Sequence, residues 1–222
     1  ITSKLKIVAA DPGVFTATLS RKLITPTQKK EKNRILAVVG SVNPNTKAQM
    51  EELWLSQRIH NVFVKTRELL ESEEQRSAEI QRVIHEILEV SHLNTVSTVT
   101  GDGIYPENRI DFQPYMEKYH CSMDDVTDKI NSAFAEIAYG IFQAQPEYKG
   151  LYTSGGDVTV AVCKKFQTAG LSLSDEVLPL AAYGQFLTGD FAGIHIITKG
   201  GSQGERDAIN RCITYLKEKL YI

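Results

Sequence analysis

Three times along this chain an apolar run breaks at glycine and passes into a helical pattern, and no other feature constrains the fold as much. Ile35-Leu36-Ala37-Val38-Val39 leads into Gly40-Ser41-Val42-Asn43-Pro44-Asn45-Thr46 and an amphipathic helix from Thr46 to about Arg58. Tyr148 to Thr153 leads into Ser154-Gly155-Gly156-Asp157, after which Val158, Val162 and Phe166 recur at helical spacing. Ile194-His195-Ile196-Ile197-Thr198 leads into Lys199-Gly200-Gly201-Ser202-Gln203-Gly204 and a helix from about Glu205. Strands alternating with helices predict an α/β fold, a mostly parallel sheet flanked by helices. The turns at the carboxyl ends of parallel strands then share one edge, where open sheets of this kind bind ligands.

Glycine lets the backbone approach a ligand with no Cβ in the way, and the first N–H groups of a helix have no internal partner. A strand-to-helix glycine turn is therefore a natural phosphate cradle. One such turn alone reads first as a plain tight turn in which Asp157 caps the helix; three together predict a phosphate-bearing ligand. Lys199 either reaches a phosphate as a point charge or ends its strand in solvent. Asp157, beside an anion-binding helix start, could serve as a base for a substrate hydroxyl, hold Mg²⁺, or cap the helix. The sequence has no Gly-x-x-x-x-Gly-Lys-Ser/Thr loop, no protein-kinase His-Arg-Asp set and no complete Gly-x-Gly-x-x-Gly fingerprint, so a nucleotide would be held in a different way.

Composition narrows the partner. With 222 residues and 42% hydrophobic content the chain can bury a sizeable core. Lys+Arg 25 against Asp+Glu 27, with no basic run, argues against nucleic acid and for a small molecule. Cys121, Cys163 and Cys212 are widely spaced and odd in number, which fits a reducing cytoplasm better than a disulfide framework or a Cys-based metal site. No apolar stretch reaches the roughly 18 residues of a membrane span, and the start Ile1-Thr2-Ser3-Lys4 has neither an initiator methionine nor a signal-peptide layout. It reads as a fragment already under way.

Along the chain, Leu5–Ala10 is an expected strand, Val14–Leu23 a short helix or turn, and Thr25–Asn33 a surface linker. Residues 1–33 are thus an inter-domain passage and 34–222 the main domain. Asn61–Lys65 and Thr95–Thr100 are further expected strands, with one long helix between them from Arg67 to Leu93. Asp102 could be a metal ligand or base, but an Asp-Gly turn is its ordinary meaning. Residues 111–120 are ambiguous, Asp124–Phe142 a helix capped near Ser122 or Asp124, Leu171–Leu178 a strand, and Ala181–Gly193 a loop-rich passage packing near the ligand. The last helix runs from Glu205 to Tyr221. His60, His85, His92 and His120 lack metal-ligand spacing, and His195, inside an apolar strand, reads as a satisfied core histidine. No resident metal site is expected.

Gly40-Ser41-Val42 with Thr46 and Gln49, Ser154-Gly155-Gly156-Asp157, and Thr198-Lys199-Gly200-Gly201 with Gly204 resemble, in order and spacing, the motifs of the nucleotide-binding C-terminal domain of the four-carbon acid sugar kinase family. Glu176-Val177-Leu178-Pro179 is similar to a segment between that family's last two motifs, and Asp11-Pro12-Gly13-Val14-Phe15-Thr16 to its passage between halves. The family usually has threonine at the position of Ser154, and a small residue and an aromatic at Ser202-Gln203. The resemblance implies the ATP-binding half of a cytoplasmic two-domain kinase that phosphorylates a threonate, erythronate or 3-oxo-tetronate. Mg²⁺ would arrive with the nucleotide, a separate N-terminal half would bind the sugar acid, and homo-oligomers are possible. Nucleotide contacts would fall to Ser41, Ser154, Gly155, Gly156, Asp157, Lys199, Gly200 and Gly201, with Asp157 the catalytic candidate. The rival readings are a phosphosugar-binding isomerase-like domain and a non-catalytic nucleotide-sensing module.

Overall fold

The computed structural model describes residues 33–222. From its start the chain runs β1 (Arg34–Val39), α1 (Pro44–Ser56), β2 (His60–Val64), α2 (Glu68–Glu71), α3 (Glu73–Val90), β3 (Val96–Gly101), α4 (Gln113–Tyr119) and α5 (Met123–Ala144). It continues through β4 (Tyr148–Ser154), α6 (Gly156–Lys165), β5 (Leu171–Leu178), β6 (Ala181–Phe186), β7 (His195–Lys199) and α7 (Ala208–Lys219).

β1 is buried along its whole length. Leu36 and Val38 face one apolar layer, Ile35, Ala37 and Val39 the other, so a strand covered on both sides needs no polar alternation. One seven-stranded sheet results, in the order β2-β3-β1-β4-β7-β6-β5. The pairs from β2 through β7 are parallel, and β6 and β5 add an antiparallel edge. The expected mostly parallel α/β fold is observed. α1 and α7 cover one face with Met50, Leu53, Ile209 and Ile213. On the other, α3, α5 and α6 contribute Val83, Ile87, Phe134, Ile137, Val158 and Val162.

β1 sends its chain through α1 to β2, on the β3 side, whereas its neighbour β4 sends its chain through α6 to β5, on the β7 side. Adjacent strands whose connections leave in opposite directions open a crevice between their carboxyl ends, the switch point of a doubly wound sheet.

Two expectations are corrected and one open reading is resolved. The single helix over Arg67–Leu93 is broken: Ser72 is extended (φ −157°, ψ 164°) and its side chain accepts from Gln75 N, so it caps α3 and separates it from α2. A 3₁₀ turn, Ser91–Leu93, follows α3. The passage Ala181–Gly193 begins as a genuine strand, β6, paired on both sides. Its small residues are what packing demands, since a Cβ on Gly184 would run into the Ser172 carbonyl of β5. The ambiguous 111–120 stretch holds α4, which His120 ends in the left-handed region at φ 50°. The expected Ser122 cap is found, reciprocated by Asp125 in a capping box. The strand at Leu5–Ala10, the helix or turn at Val14–Leu23 and all of the linker except Asn33 lie outside the described residues.

Candidate functional site at the switch point

Sheet register brings the glycine turns together. Val39 pairs with Ser154, and Ser154 with Lys199, so the first, second and third turns leave the sheet from one row. Gly40 N–H donates to the Ser154 carbonyl (3.3 Å) and Gly155 N–H to the Lys199 carbonyl (3.0 Å), carrying the ladder into the turns. Gly155 has φ 114°, open to glycine and strained for side chains. A Cβ on Gly201 would lie 2.6 Å from Ser41 Oγ and 4.0 Å from Gly155 Cα, so glycine there lets the third turn close on the first two.

The helix starts differ. Asn43 caps α1, its side chain accepting from Asn45 N–H at 2.9 Å. α6 begins on Gly155, which has no side chain to offer, so the N–H groups of its first turn stay available to a ligand. A Cβ on Gly156 would meet nothing within 4 Å, which leaves room for a ligand against the backbone. Asp157 is exposed in the same turn. It also borders a cleft of about 330 Å³ with Gly40, Val42, Gly101, Arg109 and Phe134 among its walls. Arg109 braces that cleft, with Nη2 donating to the Val42 carbonyl (2.7 Å) and Nε to the Gly103 carbonyl (3.2 Å).

The candidates divide by position. Ser41, Gly155, Gly156, Asp157, Gly200 and Gly201 converge at the mouth of the crevice. Ser154 is fully buried, and among the described residues its hydroxyl has no partner, so only its backbone belongs to the row. Lys199 is 2% exposed rather than solvated. Its Nζ donates to the carbonyls of Gly200 and Gln203, both at 2.7 Å, and burial lowers its pKa to about 8. Asp102 takes its turn meaning: Oδ1 accepts from Thr66 N–H (3.1 Å) and Oγ1 (2.7 Å), joining the ends of β2 and β3. His195 is satisfied as expected, with Nδ1 2.6 Å from the Tyr183 hydroxyl and its pKa lowered by burial, but it is half-buried rather than in the core. Among the described residues no group of three or more His, Cys, Asp or Glu could hold a metal ion, and the three cysteines are free.

Sequence reasoning counted Thr46 and Gln49 within the first motif without assigning them a contact and passed over Asn45 and Arg109; all four act on carbonyls far away in sequence. For Gln49 one local sign exists: a long amide among the apolar positions of an amphipathic helix, here fully buried.

An open α/β sheet with an uncapped helix start at its switch point, flanked by two more glycine turns, is an arrangement able to receive a phosphate-bearing anion. A family model described as the nucleotide-binding C-terminal domain matches residues 36–209, and the chain belongs to that family, the C-terminal domain of the four-carbon acid sugar kinases. It is 36% identical to a D-erythronate kinase of Heliobacterium modesticaldum over 98% of this chain and 49% of that protein. With a D-threonate kinase of Salmonella typhimurium it shares 22% identity over 86% of this chain and 44% of that one. The chain spans about half the length of the curated relatives it matches. A Bordetella bronchiseptica domain of unknown function, solved with bound citrate as a domain-swapped dimer, has the same fold: TM-score 0.67, 22% identity, 84% of this chain and 41% of that one. Among the described residues no helix is long and apolar enough to cross a membrane.

Proposed function

We propose that this chain is the ATP-binding half of a kinase that phosphorylates a four-carbon sugar acid of the erythronate or threonate class. The observation that carries the reading is the start of α6: an uncapped helix N-terminus, open space over Gly156 and an exposed Asp157, at the switch point of the sheet. Phosphoryl transfer asks little covalent chemistry of a protein; it needs donors to hold the phosphate chain and a group to orient or deprotonate the attacking hydroxyl. Backbone N–H groups of Gly156, Asp157, Val158 and, in the third turn, Gly201, Ser202 and Gly204 take the first task, and Asp157 the second. Mg²⁺ would come with ATP and neutralise charge on its phosphates. The sugar-acid hydroxyl is delivered by protein outside this chain, in keeping with a match to half of each kinase relative. Free cysteines support a cytoplasmic setting, and the domain-swapped Bordetella relative supports homo-oligomers.

Thermal denaturation with ATP, ADP and a panel of phosphosugars tests the reading. A ligand that binds only the native state stabilises it by RT ln(1+[L]/Kd), so the melting temperature should climb with ATP or ADP plus Mg²⁺. Flat melting at millimolar nucleotide would refute nucleotide binding, and a shift with phosphosugars alone would favour the isomerase-like alternative.

A further inference from the structure

The turn from Gly200 to Glu205 has an unusual polarity: each of its carbonyls accepts from a side chain. Lys199 Nζ donates to Gly200 O (2.7 Å), and Thr46 Oγ1 donates to Gly201 O. Asn45 Nδ2 donates to Ser202 O and Gly204 O, both at 3.0 Å. Lys199 Nζ donates to Gln203 O (2.7 Å), and the two hydrogens of Gln49 Nε2 are shared among Gln203 O (2.9 Å), Gly204 O (2.9 Å) and Glu205 O (3.0 Å). Apart from Lys199, every donor sits on the first two turns of α1. Thr46 and Gln49 are fully buried, so this is interior architecture rather than a surface accident.

In a trans peptide the C=O of one residue and the N–H of the next point in opposite directions, and the described residues contain no cis bond. Drawing the carbonyls toward α1 and Lys199 therefore turns the N–H groups of Gly201, Ser202, Gly204 and Glu205 away from them. Among the described residues these N–H groups find no protein acceptor, whereas Gly200 N–H donates to Leu180 O and Gln203 N–H to Gly200 O. The row begins at Gly201, in contact range of Ser41 and Gly155 at the mouth of the crevice. Consecutive N–H groups without a protein partner, here the pairs Gly201–Ser202 and Gly204–Glu205 on either side of Gln203, are the donor set of an anion nest.

We infer that Asn45, Thr46, Gln49 and Lys199 are positioning residues that hold the third glycine turn as a preformed receptor for the nucleotide's phosphates, with Lys199 acting through the carbonyls beneath the turn. This rests on the nucleotide-binding reading above. It makes the nest a property of α1, an element that itself offers the ligand only a capped helix start. Asn45, Thr46 and Gln49 are neutral, so their effect is one of orientation.

The test uses the full chain with Thr46→Val, Thr46→Ser, Gln49→Leu and the milder Asn45→Ala. ADP affinity is measured by calorimetry, adenosine affinity by ligand-observed NMR at millimolar concentration, and folding by circular dichroism without ligand. Removing a donor should leave a carbonyl free to rotate and weaken ADP binding by about tenfold. Adenosine, which has no phosphate, should keep its affinity, and Thr46→Ser, which keeps the hydroxyl, should restore ADP binding. Folded variants that bind ADP within twofold of the unsubstituted chain would overturn the positioning role while leaving nucleotide binding intact. Equal losses for ADP and adenosine, or no rescue by serine, would overturn it too, reducing the network to general packing. If the buried substitutions do not fold, Asn45→Ala decides on the same criteria. No ADP uptake by the unsubstituted chain would instead refute the nucleotide reading and this inference with it.

Discussion

A Cβ on Gly156 would meet open space, whereas its neighbour Gly155 holds φ 114°, and the two glycines should therefore fail in different ways. Gly156→Val should fold with near-normal stability and lose ADP affinity in calorimetry, because the added methyls fill the space a phosphate would enter. Gly155→Ala should lose about 1–3 kcal/mol of stability to chemical denaturation, since alanine must adopt a backbone geometry it disfavours. Lys199 makes a pH prediction. Unfolded, it titrates near 10.5; folded, near 8. Between those values the unfolded chain binds the extra proton, so stability rises with pH. Cys212 packs beside it and opposes this from about pH 9 upward, because burial raises its thiol from 9.0 to about 12. The readable window is pH 7 to 9, where the chain should gain about 1 kcal/mol that Lys199→Met does not. Equal slopes for the two would mean that the lysine titrates normally. None of this was legible in the sequence, where Lys199 reads as the solvated or phosphate-seeking end of a strand. Its burial depends on α1 and α7 closing over the inner face of β7, which is tertiary information.

At the scale of elements, the strands and helices that carry the glycine turns were legible because each combines an apolar run, a breaker and a new periodicity within about 20 residues. β1, β4 and β7 appear within one or two residues of their expected bounds. β6 was not, since its residues Ala181-Ala182-Tyr183-Gly184-Gln185-Phe186 look like a loop until β5 and β7 are in place to pack against them. The helix break at Ser72 was missed because a cap competes weakly with a strong apolar stripe on both sides. Gly184→Ala should test the hairpin. Its new Cβ would collide with the Ser172 backbone, and a loss of about 1–3 kcal/mol should appear in denaturant unfolding. A neutral result would mean that the β5–β6 edge relaxes freely and does not fix the position of β7.

For the whole molecule, geometry divides binding from chemistry. The described residues offer backbone donors and the exposed Asp157 carboxylate at the crevice, and they match only about half of each kinase relative. A kinase must set the attacking hydroxyl in line with the γ-phosphate, and positioning of that kind supplies much of the rate in phosphoryl transfer. This chain alone should therefore bind ATP with no appreciable phosphorylation of D-erythronate or D-threonate in a coupled ADP-release assay. Adding a segment that corresponds to the unmatched half of the kinase relatives, fused or in trans, should bring turnover. Brisk turnover by the chain alone would place the acceptor site within these 222 residues, the cleft beside Asp157 being the first place to look. In the turning-over protein, Asp157→Asn separates the roles of the carboxylate. Asparagine keeps the size and the capping oxygen but can neither accept a proton nor serve Mg²⁺ as a charged ligand. If Asp157 acts on the transition state, kcat should fall by about 10²–10⁴ while ATP affinity changes little. If turnover is near normal, Asp157 is a helix-start residue of the kind its position in α6 alone would suggest, and the base must come from the half that brings the sugar acid.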